Sequence, residues 1–250
     1  MPLNFLRKLS CRHRTARANR QLGALLALVA GAVNAGGFLV VHQYTSHMSG
    51  IVSSVADNLV LGNVLLVLAG AASLLFFLAG AACTAIMINW ARHRNLNGEY
   101  SLSLIAEALL LLLFGVLGAH LEDFVAITVP LTVLLLCFIM GLQNAIMSKM
   151  SNSEIRTTHM TGVITDLGIE LGRMLYWNRS HRRDADAYVR ARWSRVAMQV
   201  TILSMFFIGG IIGAIGFKQV GFTTVLPFSI ALFIVALVPL VDDIRTLVGV

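Results

Sequence analysis

Two histidines occupy matching places in this chain, in Thr45-Ser46-His47-Met48-Ser49-Gly50 and again in Thr157-Thr158-His159-Met160-Thr161-Gly162. Imidazole can donate or accept a hydrogen bond, carry a proton or bind a metal near neutral pH. Each string holds one histidine with no cysteine or carboxylate at ligand spacing beside it. Hydrogen bonding at a helix start is therefore the expected role, and neither a metal nor any other cofactor is expected. Upstream of each string stands Gly-x-x-Asn-Ala, at Gly31 to Ala35 and at Gly141 to Ala145. Asn34 and Asn144 thus lie in apolar stretches, where an amide must bond to a neighbouring helix or to a bound molecule. Asn34, His47, Ser49, Asn144, His159 and Thr161 are the expected solute-binding residues.

Carboxylates offer a second chemistry. Glu107 directly precedes the apolar run Ala108 to Phe114 and has no lysine or arginine within a span to neutralise it, so a proton is its simplest counter-ion. Asp57 lies in a short polar-bearing segment, and Asp166 and Glu170 are four apart on one face of another. Glu107, Asp57 and Asp166 are the expected proton-coupling residues; the plainer alternative for Glu107 is a hydrogen bond to a neighbouring helix. No Gly-x-Ser-x-Gly elbow, His-Glu-x-x-His helix, Gly-rich phosphate loop or Cys-x-x-Cys pair occurs, so an enzyme is not expected.

Lipid-crossing helices must position these groups. Of 250 residues 57% are hydrophobic and 12% charged, with mean hydropathy +0.80. That is half the charge of a soluble domain, about 25%, which excludes a soluble enzyme and a disordered tail. Three cysteines, Cys11, Cys83 and Cys137, make no disulfide framework. Apolar runs near 21–42, 64–91, 101–120, 124–148, 196–217 and 221–241 are long enough to cross a hydrocarbon core of about 30 Å. The segments 47–62 and 158–176 are too short or too polar to cross, and lie at the interface or dip inward as half-helices. Ser46 and Thr158 are their expected N-caps, and Gly62-Asn63 the expected break, with Gly172-Arg173 near the corresponding place. With six spans and a cytoplasmic N-terminus, eighteen of nineteen lysines and arginines fall inside and only Lys218 outside. The expected location is the bacterial inner (plasma) membrane with both termini cytoplasmic, and the two histidine segments on opposite sides.

The net charge of +7 then reports orientation and not nucleic acid. The arm 1–20 and the loop 177–195, with Trp177 and Trp193 at the loop's ends, are expected to meet anionic lipid headgroups. The basic start and following apolar run imitate a signal peptide, yet the Gly-x-x-Asn-Ala string that would be its cleavage site recurs in mid-chain, so the first span is expected to stay.

Seven identities fall within about twenty aligned positions of two blocks offset by about 110. Phe76-Phe77-Leu78-Ala79-Gly80 further matches Phe206-Phe207-Ile208-Gly209-Gly210. Three spans per half is an odd number, so the halves enter the membrane from opposite sides. The expected fold is all-α, six transmembrane helices in two inverted three-helix repeats, each with an extra short helix: 21–123 and 124–250. These doubled strings resemble the YoaK-like family of bacterial integral membrane proteins of unknown function, over nearly the whole chain after residue 20. In that family an asparagine commonly follows the string's glycine. Ile51 and Val163 stand there instead, so an asparagine-dependent role at that place does not transfer. The resemblance implies an integral membrane protein. The polar motifs in both halves point to a transporter or permease for an unknown small-molecule solute, with a non-transporting scaffold or assembly factor as the alternative. Gly209 and Gly213 predict close packing of the fifth span, within the chain or across a homodimer.

Overall fold

The computed structural model describes residues 15–41, 43–120, 125–151, 157–176 and 190–248. Most of the basic arm with Cys11, and the loop residues 177–189 with Trp177, lie outside these. Among the described residues every long element is a helix: α1 (Ala16–Val41), α2 (Met48–Val60), α3 (Val64–His93), α4 (Ser101–Ala119), α5 (Val125–Met150), α6 (Met160–Leu175), α7 (Trp193–Gln219) and α8 (Val225–Val248). A 3-10 turn, Gly221–Thr224, leads into α8. Six of these, all but α2 and α6, are long and apolar enough to cross a bilayer. The chain is a multi-pass membrane protein, and leucines such as Leu65, Leu75, Leu78 and Leu109 stay exposed because lipid, not a protein core, is their solvent.

Glycine sets how the spans pair. A Cβ at Gly209 would collide with the Leu28 carbonyl, one at Gly213 with Ala32, and one at Gly31 with the Phe206 carbonyl, so α1 and α7 touch backbone to backbone. In the same manner Gly80 meets the Phe138 carbonyl and Gly141 the Phe77 carbonyl, joining α3 to α5. Small residues allow this approach, and dispersion between the close backbones replaces the hydrophobic force that lipid cannot supply. The expected step at Gly209 and Gly213 therefore packs within the chain. Leu28 and Phe138 are 110 apart, so the glycines that face them, Gly80 and Gly209, are the equivalent pair. Phe77 then corresponds to Phe206, one residue away from the match that the letters alone suggested. Pairing by identity cannot see which side of a helix faces its neighbour.

Helix α5 runs antiparallel to α1: Gln143 Nε2 donates to the Leu26 carbonyl at 3.0 Å, while Gly23 lies by Met147 and Gly37 by Leu136. The ends of α1 and α5 therefore lie at opposite ends of the bundle. Ser229 Oγ donates to the Ala108 carbonyl at 2.8 Å and joins α4 to α8. The C-terminal helix is also fastened by Asp243, whose carboxylate accepts from the Asn97 and Gly98 amides at 2.8 and 2.7 Å.

The short helices behave differently from the spans. At 13 and 16 residues, α2 and α6 measure about 20 and 24 Å, less than the hydrocarbon thickness. The break after α2 falls at Gly62, φ 74°, with Asn63 Nδ2 donating to Asn58 Oδ1 at 3.0 Å, as the sequence predicts. In the second half no break forms at Gly172-Arg173. There α6 continues to Leu175, with Arg173 paired to Glu170 one turn back at 2.6 Å and a cation thus placed at the helix C-terminus.

Glu170 also accepts from the Arg192 amide at 2.8 Å, joining the end of α6 to the start of α7. The Arg192 amide first, and the Arg173 charge after it, hold this carboxyl below its ordinary range. A depressed pKa gives stability that is present at neutral pH and lost as pH falls through the folded value. Acidification through that lowered range is expected to loosen the joint, read as a downward step in the unfolding temperature. Glu170→Gln should abolish that pH step; an unchanged step in the variant would assign it elsewhere.

Candidate functional site

The strings that open α2 and α6 do not cap these helices as expected. His47 and His159 are the N-cap residues, and neither makes a side-chain capping bond. Ser46 and Thr158 turn instead toward the spans: Ser46 Oγ donates to Asn34 Oδ1 at 2.8 Å, and Asn144 Nδ2 donates to Thr158 Oγ1 at 2.7 Å. A buried amide offers a better partner than a helix end that faces a cavity.

These bonds fix the depth at which the short helices begin. Asn34 is seven residues, about 10 Å, inside the end of α1, and Asn144 is six residues, about 9 Å, inside the end of α5. The chain leaves each span, returns about 10 Å along it and only then starts α2 or α6. Helix α2 next packs against α3, Val55 against Gly70, so that Met48 comes level with Phe77 near the middle of α3. Helix α6 runs back along α7 through Gln199 Nε2 donating to Asp166 Oδ2 at 3.1 Å and through the Glu170 joint. Both N-termini thus meet in the middle, while their C-termini diverge toward opposite ends.

Where they meet is a cavity of about 1120 Å³. All six expected solute-binding residues line it: Asn34, His47 and Ser49 from one half, Asn144, His159 and Thr161 from the other. Both histidines face this one space, although their strings follow α1 and α5 from opposite ends of the bundle. Phe77 and Phe206, equivalent in the corrected register, lie in its wall together with Met48 and Met160. The glycine of each string has a local reason. A Cβ on Gly50 would stand 2.6 Å from His47 Nδ1, and one on Gly162 2.5 Å from His159 Nδ1. Each imidazole folds over the first turn of its own helix, and only glycine three residues on leaves it room.

The two halves are not copies in bonding. Asn144 is fully engaged: Nδ2 donates to the Met140 carbonyl at 2.8 Å and to Thr158, while Oδ1 accepts from the Thr158 amide at 3.3 Å and Thr157 Oγ1 at 3.4 Å. Asn34, 9% exposed, accepts from Ser46 only, and its Nδ2 meets no acceptor among the described residues. The walls differ too. Toward the end of α5 the cavity reaches Ser148, Lys149 and, on α3, Ala85. Toward the end of α1 the place equivalent to Ser148 is Phe38, whose ring stacks on Tyr44 at 4.5 Å and 15°.

The expected proton-coupling residues are not brought together and none lines the cavity. Asp57 and Asp166 are exposed on α2 and α6. Glu107 is fully buried in α4 beside Gln143, and neither carboxylate oxygen nor Gln143 Oε1 has a hydrogen-bond partner among the described residues. Gln143 is, however, the neighbour in sequence of cavity-lining Asn144. The sequence reading missed Tyr44, Phe77, Phe206 and Lys149 as cavity residues. For the phenylalanines the repeat match was a visible signal; Lys149 carried only a topological one.

A family model described as "Protein of unknown function (DUF1275)" matches residues 22–238, and the chain belongs to that family. Neither the curated proteins nor the solved structures yield a match.

Proposed function

We propose that this family member is a small-solute transporter or permease, not an enzyme, and that its solute sits in the central cavity. One observation carries the reading: matched residues from both halves of the sequence converge on a single mid-depth space. A scaffold has no use for such a space. In this reading the halves are inverted repeats and α2 and α6 are re-entrant, with non-helical backbone tolerated at that depth because it lines a cavity. The antiparallel packing of α1 on α5 and the recurring glycine contacts support that arrangement.

The proposed setting is the bacterial inner membrane with both termini in the cytoplasm, the orientation that keeps eighteen of nineteen basic residues inside. The basic arm then rests on anionic headgroups. In this orientation Lys149, at one end of the cavity wall, lies toward the cytoplasm and the Phe38–Tyr44 stack toward the opposite face. Coupling to protons runs through Glu107. Both its oxygens and Gln143 Oε1 are buried acceptors without a partner among the described residues, and a proton on Glu107 would supply a donor there. Loading or losing that proton would bias α5, which carries Asn144 on the cavity side.

The test is solute-driven swelling of proteoliposomes followed by stopped-flow light scattering, over polyols, amides, amino acids, organic acids and amines. At least one solute class is expected to enter faster than in protein-free vesicles. Glu107→Gln should abolish accumulation driven by an imposed pH gradient while leaving exchange at equal pH. Rates equal to empty vesicles for every class would defeat the transport reading.

A further inference from the structure

We infer that the cavity selects an oxyanion, such as a small carboxylate, over neutral and cationic solutes; this rests on the transport reading above and names its substrate class. Each helix N-terminus carries about half an elementary positive charge from its unpaired amides. Two such ends, those of α2 and α6, face one space, and together they amount to about one charge. Neither histidine side chain makes a capping bond, so the first-turn amides have no side-chain partner, although each imidazole lies over the Gly50 or Gly162 position.

A second and independent observation points the same way. Asn34 is nine-tenths buried, lines the cavity, and holds an amide nitrogen with no protein acceptor among the described residues. Its counterpart Asn144 spends both donor hydrogens on protein, so the free donor is a departure from the repeat and not a feature of the motif. That donor reaches the cavity, where water or a bound solute must accept from it.

The charges agree. Among the described residues no aspartate or glutamate lines the cavity, and Lys149 stands in the part of the wall nearest the end of α5. A cation there would meet two positive helix ends with no carboxylate to offset them. A neutral amide could take the Asn34 donor but would gain nothing from the helix ends. A carboxylate or other oxyanion takes both, with the Ser49 and Thr161 hydroxyls within the same wall as further donors. Lys149 would raise the local concentration of anions at the mouth.

The experiment uses the full chain in lipid nanodiscs and matched probe pairs: acetate against acetamide, benzoate against benzamide, nitrate and phosphate as inorganic oxyanions, and methylammonium as the cation. Each salt replaces sodium gluconate at constant ionic strength, and thermal unfolding is followed at rising probe concentration. A saturable rise in Tm is expected for one or more oxyanions and for none of their neutral partners. Asn144→Asp, which puts a negative charge in the wall, should weaken the effect at least about tenfold. Should that variant fold poorly, exposed Lys149→Gln serves in its place and should weaken it about threefold at low salt. Gly168→Ala, remote from the cavity, should leave it unchanged. A neutral or cationic probe that matches or exceeds its anionic partner overturns the inference while leaving transport standing. No shift with any probe also overturns it, and the swelling panel then decides separately whether transport survives.

Discussion

Gly31→Ala is expected to be the most damaging single-methyl change in the chain. The added Cβ would occupy the position of the Phe206 carbonyl, and a backbone carbonyl inside a helix cannot rotate away as a side chain can. The helices α1 and α7 must separate, and the contacts from Leu28 through Ala32 to Gly213 are lost together. A loss of about 3 kcal/mol or more is expected, the upper end of overpacking costs. Gly141→Ala, against the Phe77 carbonyl on the other side of the bundle, should behave the same. The control is Gly168→Ala, where nothing stands within 4 Å of the new Cβ and the residue is mid-helix in α6. There alanine should stabilise by about 0.5–1 kcal/mol through lower backbone entropy. Thermal unfolding in nanodiscs measures all three, and a mild effect at Gly31 would mean that α1 and α7 are not in backbone contact.

Asn144→Leu should produce the largest functional loss that leaves the spans intact. The leucine is similar in volume but withdraws the acceptor of the Thr158 amide and Thr157 hydroxyl and the donor of Thr158 Oγ1. Buried groups left without partners cost about 1–3 kcal/mol each, so the start of α6 should detach from α5. Flux is expected to fall to the level of empty vesicles, with a stability cost of about 2–4 kcal/mol. Asn34→Leu breaks only the Ser46 bond and should cost less stability than its counterpart while still impairing solute binding. Equal stability costs for the two would show that the bonding asymmetry does not hold in the membrane.

The sequence made the spans legible because an apolar run near twenty residues has one stable destination, whatever it packs against. The solute-site residues were legible for another reason. Polar groups such as Asn34 and His159 within or beside apolar runs are costly, so their recurrence marks a shared task. The partners of the spans were not legible. Whether Gly209 meets α1 or a second copy of the chain depends on which face turns inward, and helices as uniformly apolar as α3 and α5 carry no such label. Ser46 and Thr158 were misread as caps because capping is a local rule, and it yielded to amides from residues twelve and fourteen positions away. Gly172-Arg173, near the place that corresponds to the Gly62 break, lies inside the last turn of α6, which ends at Leu175.

The backbone contact between α1 and α7 has a consequence for how the protein is made. Leu28 leaves the ribosome about 180 residues before Gly209, the residue it must touch. At about 5–20 residues per second that is a wait of roughly ten to forty seconds. During it the first helix, 67% of whose apolar window is buried in the finished fold, stands in the bilayer without its partner, whereas α3, with only 11% buried there, has little to wait for. A nascent chain stalled before α7 therefore leaves the face of α1 around Leu28 and Ala32 without the glycines that pack on it.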